Sequence, residues 1–255
     1  MQNISFSIAA DLLKNKAIFI YGLLLAVLGW GMFLIESQPE KTILALLQIT
    51  LIVVPLMTSI FATIYYYNSA EFIQLLLIQP LKRRSIIWGI FAGLSSGFVL
   101  SFLVGIGLPL LLFYPTTASL HLILSGTFLS VIFTGLALLV STHQQDKARS
   151  IGFVLLLWIF FTFIFDGILL WAMYQLADYP IEQSILFGTF LNPVSVARTL
   201  VVMQTEAAAL LGLSGAIFKD FFGSLKGSFI AMLILIIWGI LPYLFVKRKF
   251  LTRDF

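Results

Sequence analysis

Apolar residues in this chain run in long, nearly unbroken blocks separated by short polar breaks, rather than alternating every second position as in a half-buried strand. Six blocks are long enough to cross a bilayer as helices, over 17–35, 42–66, 85–113, 120–141, 151–174 and 228–246. A helix needs about 20 mostly apolar residues to cross ~30 Å of hydrocarbon. The pattern therefore predicts an all-α integral membrane protein, one membrane domain over 1–255 with six transmembrane helices. The segment 175–227 is too polar to span and too apolar to be free in water, which predicts a large outer loop with helical segments. Ahead of the first block, Ile4, Ile8 and Leu12 share one helical stripe with Phe6 beside it, the pattern of an amphipathic N-terminal elbow helix in the interface. The first block is too long for the apolar part of a signal peptide, and no small-x-small cleavage site follows it, so it reads as a retained span.

Composition sharpens this picture. The chain is 60% hydrophobic and only 10% charged, with a mean hydropathy of +1.07, whereas soluble domains are about 25% charged. There is no cysteine, which removes disulfides, thiolate metal sites and cysteine nucleophiles. Of the 15 basic residues, 11 fall on one side if the N-terminus is inside: Lys14, Lys16, Lys82, Arg83, Arg84, Lys147, Arg149, Lys247, Arg248, Lys249 and Arg253. Only Lys41, Arg198, Lys219 and Lys226 fall on the other. The positive-inside rule then puts both termini in the cytoplasm, and it accounts for the basic balance with no nucleic-acid partner.

The stretch "YYYNSAEFIQLLLIQPLKRR" joins blocks two and three on the inner side. Asn68 or Ser69 can cap a helix, and Glu71 in its first turn suits the helix dipole. Phe72, Leu75, Leu76 and Gln79 follow on one face, Pro80 ends the helix, and Lys82, Arg83 and Arg84 anchor the next span at the headgroups. A helix that only lies on lipid fits this pattern. So does a docking helix for a cytoplasmic protein, which the acid at its exposed end favours.

The order of acid, apolar run, "LL", proline and basic residues, carried by Glu71, Leu75, Leu76, Pro80, Arg83 and Arg84, resembles the first cytoplasmic loop of ABC-2-type permeases. Phe72 and Ile73 stand where that family often has a glycine-threonine pair. The outer phrase "NPVSVAR…GAIFKDFFGS" is similar to the same region of NosY-type permeases from nitrous oxide reductase maturation systems, which are associated with copper processing. The resemblance implies a homodimer bound to a cytoplasmic ABC ATPase, with ATP and Mg held by that partner. It implies Glu71, Phe72, Leu75, Leu76, Gln79, Pro80, Arg83 and Arg84 as the ATPase-coupling surface. It further implies a periplasmic copper-handling partner on an outer surface that includes Asn192, Pro193, Arg198, Phe218, Phe221 and Phe222. "STHQQDKARS" would be a second, lesser contact with the ATPase, or a bare turn.

Groups that could carry chemistry are few. His121 and His143 lie at opposite ends of block four, and Met32, Met57, Met173 and Met232 lie in different blocks. This spacing gives no preformed copper path, since Cu(I) selects thiolate and thioether ligands. Asp166 is the one acid inside a block, and it reads either as a proton relay or as a hydrogen bond to a neighbouring helix. Gly89, Gly93, Gly97, Ser101 and Gly105 recur every four residues, a small-residue stripe for close helix packing within or between subunits. No GxxxxGK[ST] motif is present, so no P-loop binds ATP here. The readings that remain are the permease half of an ATP-driven complex, including an exporter permease for a lipid or other small molecule; a secondary transporter; and a passive membrane anchor. The first requires the fewest unexplained features.

Overall fold

The computed structural model describes residues 16–80, 82–176, 182–206, 208 and 218–252. The expected elbow helix, and Leu210, Leu211 and Ile217 of the outer loop, lie outside these residues. Every regular element among the described residues is helical. In chain order they are α1 (Lys16–Ile35), α2 (Pro39–Asn68), α3 (Ala70–Ile78), α4 (Arg83–Phe102), α5 (Leu108–Phe113), α6 (Thr117–His143), α7 (Lys147–Ile159), α8 (Phe165–Gln175), α9 (Glu182–Thr189), α10 (Pro193–Val202) and α11 (Leu225–Thr252). A π-helical turn over Leu103–Gly107 joins α4 to α5, and another over Phe160–Ile164 joins α7 to α8. Six helices long and apolar enough to cross a membrane result: Lys16–Ile35, Pro39–Asn68, Arg83–Phe113, Thr117–His143, Lys147–Gln175 and Leu225–Leu251. They coincide with the six expected blocks and extend them by a turn or less at most ends.

The long helices start where the local chemistry satisfies their free amides. Thr116 Oγ1 accepts from the Ser119 amide at 3.2 Å to open α6. Asp146 accepts from the Ala148 and Arg149 amides to open α7. Inside the bundle, serine and threonine hydroxyls turn back onto their own helix: Thr58 to Val54, Thr63 to Ser59, Ser130 to Gly126, Thr134 to Ser130 and Ser141 to Ala137. Each hydroxyl is thereby satisfied without water, which an apolar interior requires.

The core lies around α6, which packs against α2, α4, α10 and α11. In the most apolar stretch of α6, 61% of residues are buried, against 17% in the span from Lys147 to Gln175 and 22% in α1. The fourth span is thus the axis of the subunit, and the first and fifth present most of their apolar surface outward. Pro55 in α2 and Pro242 in α11 break their helices' hydrogen-bond ladders. Close to the first, the Trp158 indole donates to the Ile52 carbonyl at 3.2 Å, tying the fifth span to the second at mid-membrane.

The small-residue stripe is buried, apart from half-buried Ser101, and its second half packs within the subunit. A Cβ on Gly97 would lie 2.6 Å from Ile18 Cδ1, one on Gly105 2.7 Å from Leu25 Cβ, and Gly22 faces the Ser101 hydroxyl. On the other side, a Cβ on Gly29 would lie 2.1 Å from the Gly105 carbonyl oxygen. The first span therefore rides on the third with backbones in contact at the π-helical turn, the close approach that small residues permit.

Candidate functional site

The bundle has a basic end, carrying Lys82, Arg83, Arg84, Lys147, Arg248 and Lys249, and an opposite end formed by α9, α10 and the helical segment 218–222. Each holds a candidate site.

At the basic end, Ser69 opens α3 without a side-chain cap, and Gln79 closes it in extended backbone ahead of Pro80. The helix is amphipathic, but its phase differs from the expected one. Ile73 and Leu76 are buried against the bundle, while Phe72, Leu75 and Ile78 are exposed at 48%, 61% and 83%. Leu76 therefore does not belong to an outward docking face; with Ile73 it is the seam that seats α3 on the spans. Glu71, Gln79, Pro80, Arg83 and Arg84 are exposed as expected. Phe72 and Leu75, with Ile78, form an apolar ridge rimmed by these polar groups.

The second connection on this end is fastened to the first. The Tyr67 hydroxyl lies 2.6 Å from Ser150 Oγ and donates toward the Gln144 carbonyl at 3.1 Å. Lys147 Nζ donates to Asn68 Oδ1 at 3.0 Å. Arg83 Nη1 reaches the Leu251 carbonyl of α11 at 3.4 Å. The stretch around Gln144–Ser150 is thus held by residues just before α3, and Arg83 just after α3 reaches the last span.

At the opposite end, α10 is sewn onto the fifth span by three residues at three-residue spacing. Asn192 Oδ1 caps α10 by accepting from the Val194 amide at 2.9 Å, and its Nδ2 donates to the Phe161 carbonyl at 2.7 Å. Phe161 lies in the π-helical turn, where a carbonyl can lose its regular helical donor. The Ser195 hydroxyl donates to Asp166 Oδ1, and Arg198 pairs with Asp166 Oδ2. The intramembrane acid thus has a base after all, supplied by a connecting segment rather than by another span. Burial pulls the Arg198 guanidinium below its ordinary value, because desolvation disfavours the charge.

This geometry corrects the expected outer surface. Asn192, Pro193 and Phe222 are buried, as are Val194–Ala197, Leu200 and Val201. α10 does not lie along the membrane face; it is tucked among α2, α6 and α11, because its apolar residues surround it on most sides. Phe222 is the centre of an aromatic cluster, stacked on Phe218 at 6.1 Å and flanked by Phe190 and Phe221. Its carbonyl accepts from Gln204 Nε2 and Ser228 Oγ. Arg198, Phe218 and Phe221 stay partly accessible.

Beside the ion pair is a cavity of about 280 Å³ lined by Asp166, Leu169, Leu170, Met173, Ile185, Thr189, Ser195, Arg198, Thr199, Met203 and Phe218. Met173 and Met203, far apart in sequence, both line it. His121 and His143 each turn Nδ1 onto the carbonyl four residues back in α6, at 2.8 and 2.9 Å. Among the described residues, no group of three or more histidine, aspartate or glutamate side chains could hold a metal ion.

Six helical spans, a seated amphipathic helix at the basic end and a polar cluster at the other define the class: a multi-pass helical membrane protein. The chain is 26% identical over 234 residues to the probable ABC transporter permease protein NosY of Stutzerimonas stutzeri, covering 84% of this chain and 81% of that protein. It is 27% identical over 227 residues to the protein of the same name from Pseudomonas aeruginosa, covering 80% and 82%. No protein-family model matches the chain. The similarity is therefore to NosY-type ABC transporter permeases, and it supports reading the chain as a permease subunit of an ABC transporter.

Proposed function

We propose that this chain is the membrane half of a homodimeric, ATP-driven complex of a bacterial inner membrane, with both termini cytoplasmic, serving copper-site maturation of nitrous oxide reductase. It carries no ATP site of its own; ATP and Mg belong to a cytoplasmic ABC ATPase. The observation that carries this reading is the exposed ridge of Phe72, Leu75 and Ile78 on a helix otherwise seated in the bundle. Among the described residues these three side chains stay about half or more exposed, and the clamp through Tyr67 and Asn68 makes both connections of that end one body. A partner that docks there can move the spans. The polar cluster beyond the fifth span suits a subunit that transmits motion to a copper-handling partner on the far face.

The test is co-purification of the ATPase from the native host. Leu75→Asp puts a charge on the ridge without touching the seam, and the variant is expected in the membrane at normal level but without its ATPase. Retention of the ATPase by Leu75→Asp removes the coupling role of α3. Whether copper itself crosses is tested separately. Met173→Leu with Met203→Leu removes the two thioethers that share a cavity while roughly conserving volume. A subunit that transmits motion keeps reductase maturation in this double variant; loss of maturation with assembly intact means the thioethers bind the metal.

A further inference from the structure

The cavity beside Asp166 and Arg198 is not used by a purely mechanical role, and its chemistry is specific. Its floor is an ion pair and its walls are apolar side chains, Leu169, Leu170 and Met173 among them. The pair is not fully closed off: the side chains of Arg198 and Asp166 keep 30% and 19% of their exposure. Nor is it saturated. Asp166 faces Nη1 of the Arg198 guanidinium, which leaves the donors on Nη2; Nε is buried and makes no hydrogen bond among the described residues. Asp166 holds Ser195 on Oδ1 and Arg198 on Oδ2; Oδ2 is buried, and Oδ1 keeps a second lone pair.

A simple anion here would gain Arg198 and be repelled by Asp166, and a simple cation would meet the reverse. A dipolar head that carries both an ammonium and a phosphate meets two complementary charges at once. The rim says where such a head would come from. Leu170, Trp171 and Phe187 beside the cavity are exposed at about two-thirds of their surface (66%, 65% and 66%), the surface a span turns to acyl chains. We propose that this cavity is a binding site for a phospholipid with an ammonium-phosphate head, its phosphate on the free donors of Arg198, its ammonium on Asp166, and the start of an acyl chain along Leu169, Leu170 and Met173. This site goes beyond the coupling role and does not depend on it.

The test uses the full chain in nanodiscs of phosphatidylglycerol, with a phosphatidylethanolamine probe that carries a photoreactive diazirine near the head. Cross-linked peptides are mapped by mass spectrometry. Label is expected in the segments containing Asp166–Met173 and Ser195–Met203, and unlabelled phosphatidylethanolamine should displace it while extra phosphatidylglycerol does not. Asp166→Asn combined with Arg198→Gln removes both charges; capture there should weaken by about a hundredfold, what the loss of two charge-assisted hydrogen bonds amounts to. Leu169→Trp fills the cavity, leaves the ion pair, and should abolish capture. A measurement on the unaltered protein covers the case of variants that do not fold: phosphatidylethanolamine added to delipidated protein in detergent should raise its thermal midpoint, and phosphatidylglycerol should not. Equal capture of a phosphatidylglycerol probe, undiminished capture in the neutral double variant, or equal thermal shifts from both lipids would overturn the proposal.

Discussion

Asn192 is the residue whose role is most concentrated. It caps α10 with one atom and holds the π-helical turn of the fifth span with another, at zero exposure. Asn192→Ala loses the cap, typically ~1 kcal/mol, and also strands the Phe161 carbonyl, a buried acceptor that costs about 1–3 kcal/mol when unpaired. Thr116→Ala, at an exposed cap on α6, loses only the first of these. Thermal unfolding in detergent should separate the two variants clearly, with Asn192→Ala the weaker; equal midpoints mean that the clamp contributes nothing. Arg198 belongs to the same seam. Removing it alone leaves Asp166 half-buried and unpaired, so Arg198→Ala should destabilise more than Arg198→Gln made together with Asp166→Asn, because the second change neutralises both partners. The spacing of Asn192, Ser195 and Arg198 was open to inspection in the sequence. What hid their role was the apolar character of the intervening residues, which suits a helix lying on a membrane as well as one enclosed by a bundle.

At the scale of elements, α3 teaches a similar lesson. Its existence, start and stop were legible from Glu71, the apolar run and Pro80, since periodicity and proline are local signals; the expected side-chain cap is not made, as the Ser69 hydroxyl accepts from no amide of the helix. Its phase was not. Leu75 and Leu76 are adjacent, both apolar, and only the bundle decides which turns inward. Leu76→Asp should therefore lower the amount of folded protein, since it buries a charge in the seam, whereas Leu75→Asp should not; size-exclusion profiles of the two variants in detergent check this. The glycine stripe behaves in the same way. Its spacing announced close packing, but the partner, the first span, became known only from the fold. Gly29→Leu drives side-chain atoms into the Gly105 backbone, and rigid backbone cannot yield as a side-chain tip can. Loss of the monodisperse peak is expected, and a normal profile would mean that the first span is not fixed at that crossing.

For the whole molecule, the six spans were almost fully legible, because the bilayer demands an apolar length that a sequence cannot disguise. The side on which each end lies is an expectation from charge asymmetry. With no native cysteine, single cysteines report it directly: Lys219→Cys should react with an impermeant thiol reagent in intact cells, and Gln145→Cys only after the membranes are opened. Both positions are exposed. Reaction of the second but not the first in intact cells would invert the orientation and with it the assignment of α3 to an ATPase. The depth of each span in the bundle could not be read beforehand. All six are similarly apolar, and a side chain that faces lipid obeys the same solvent rule as one that faces another helix.

The π-helical turn at Phe160–Ile164 means that the fifth span holds one residue more than regular helical geometry calls for. One residue of α-helix turns the chain by about 100°. Were the span to relax into unbroken α-helix, everything beyond the turn would rotate by that angle, and Asp166 would swing from Arg198 toward the acyl chains. Angular phase, then, rather than position along the axis, is what the Asn192 clamp preserves. Deleting Phe163 should remove the surplus while keeping both halves in phase, so the shortened span is expected to retain the ion pair and to tolerate loss of the Asn192 amide better than the full-length one does.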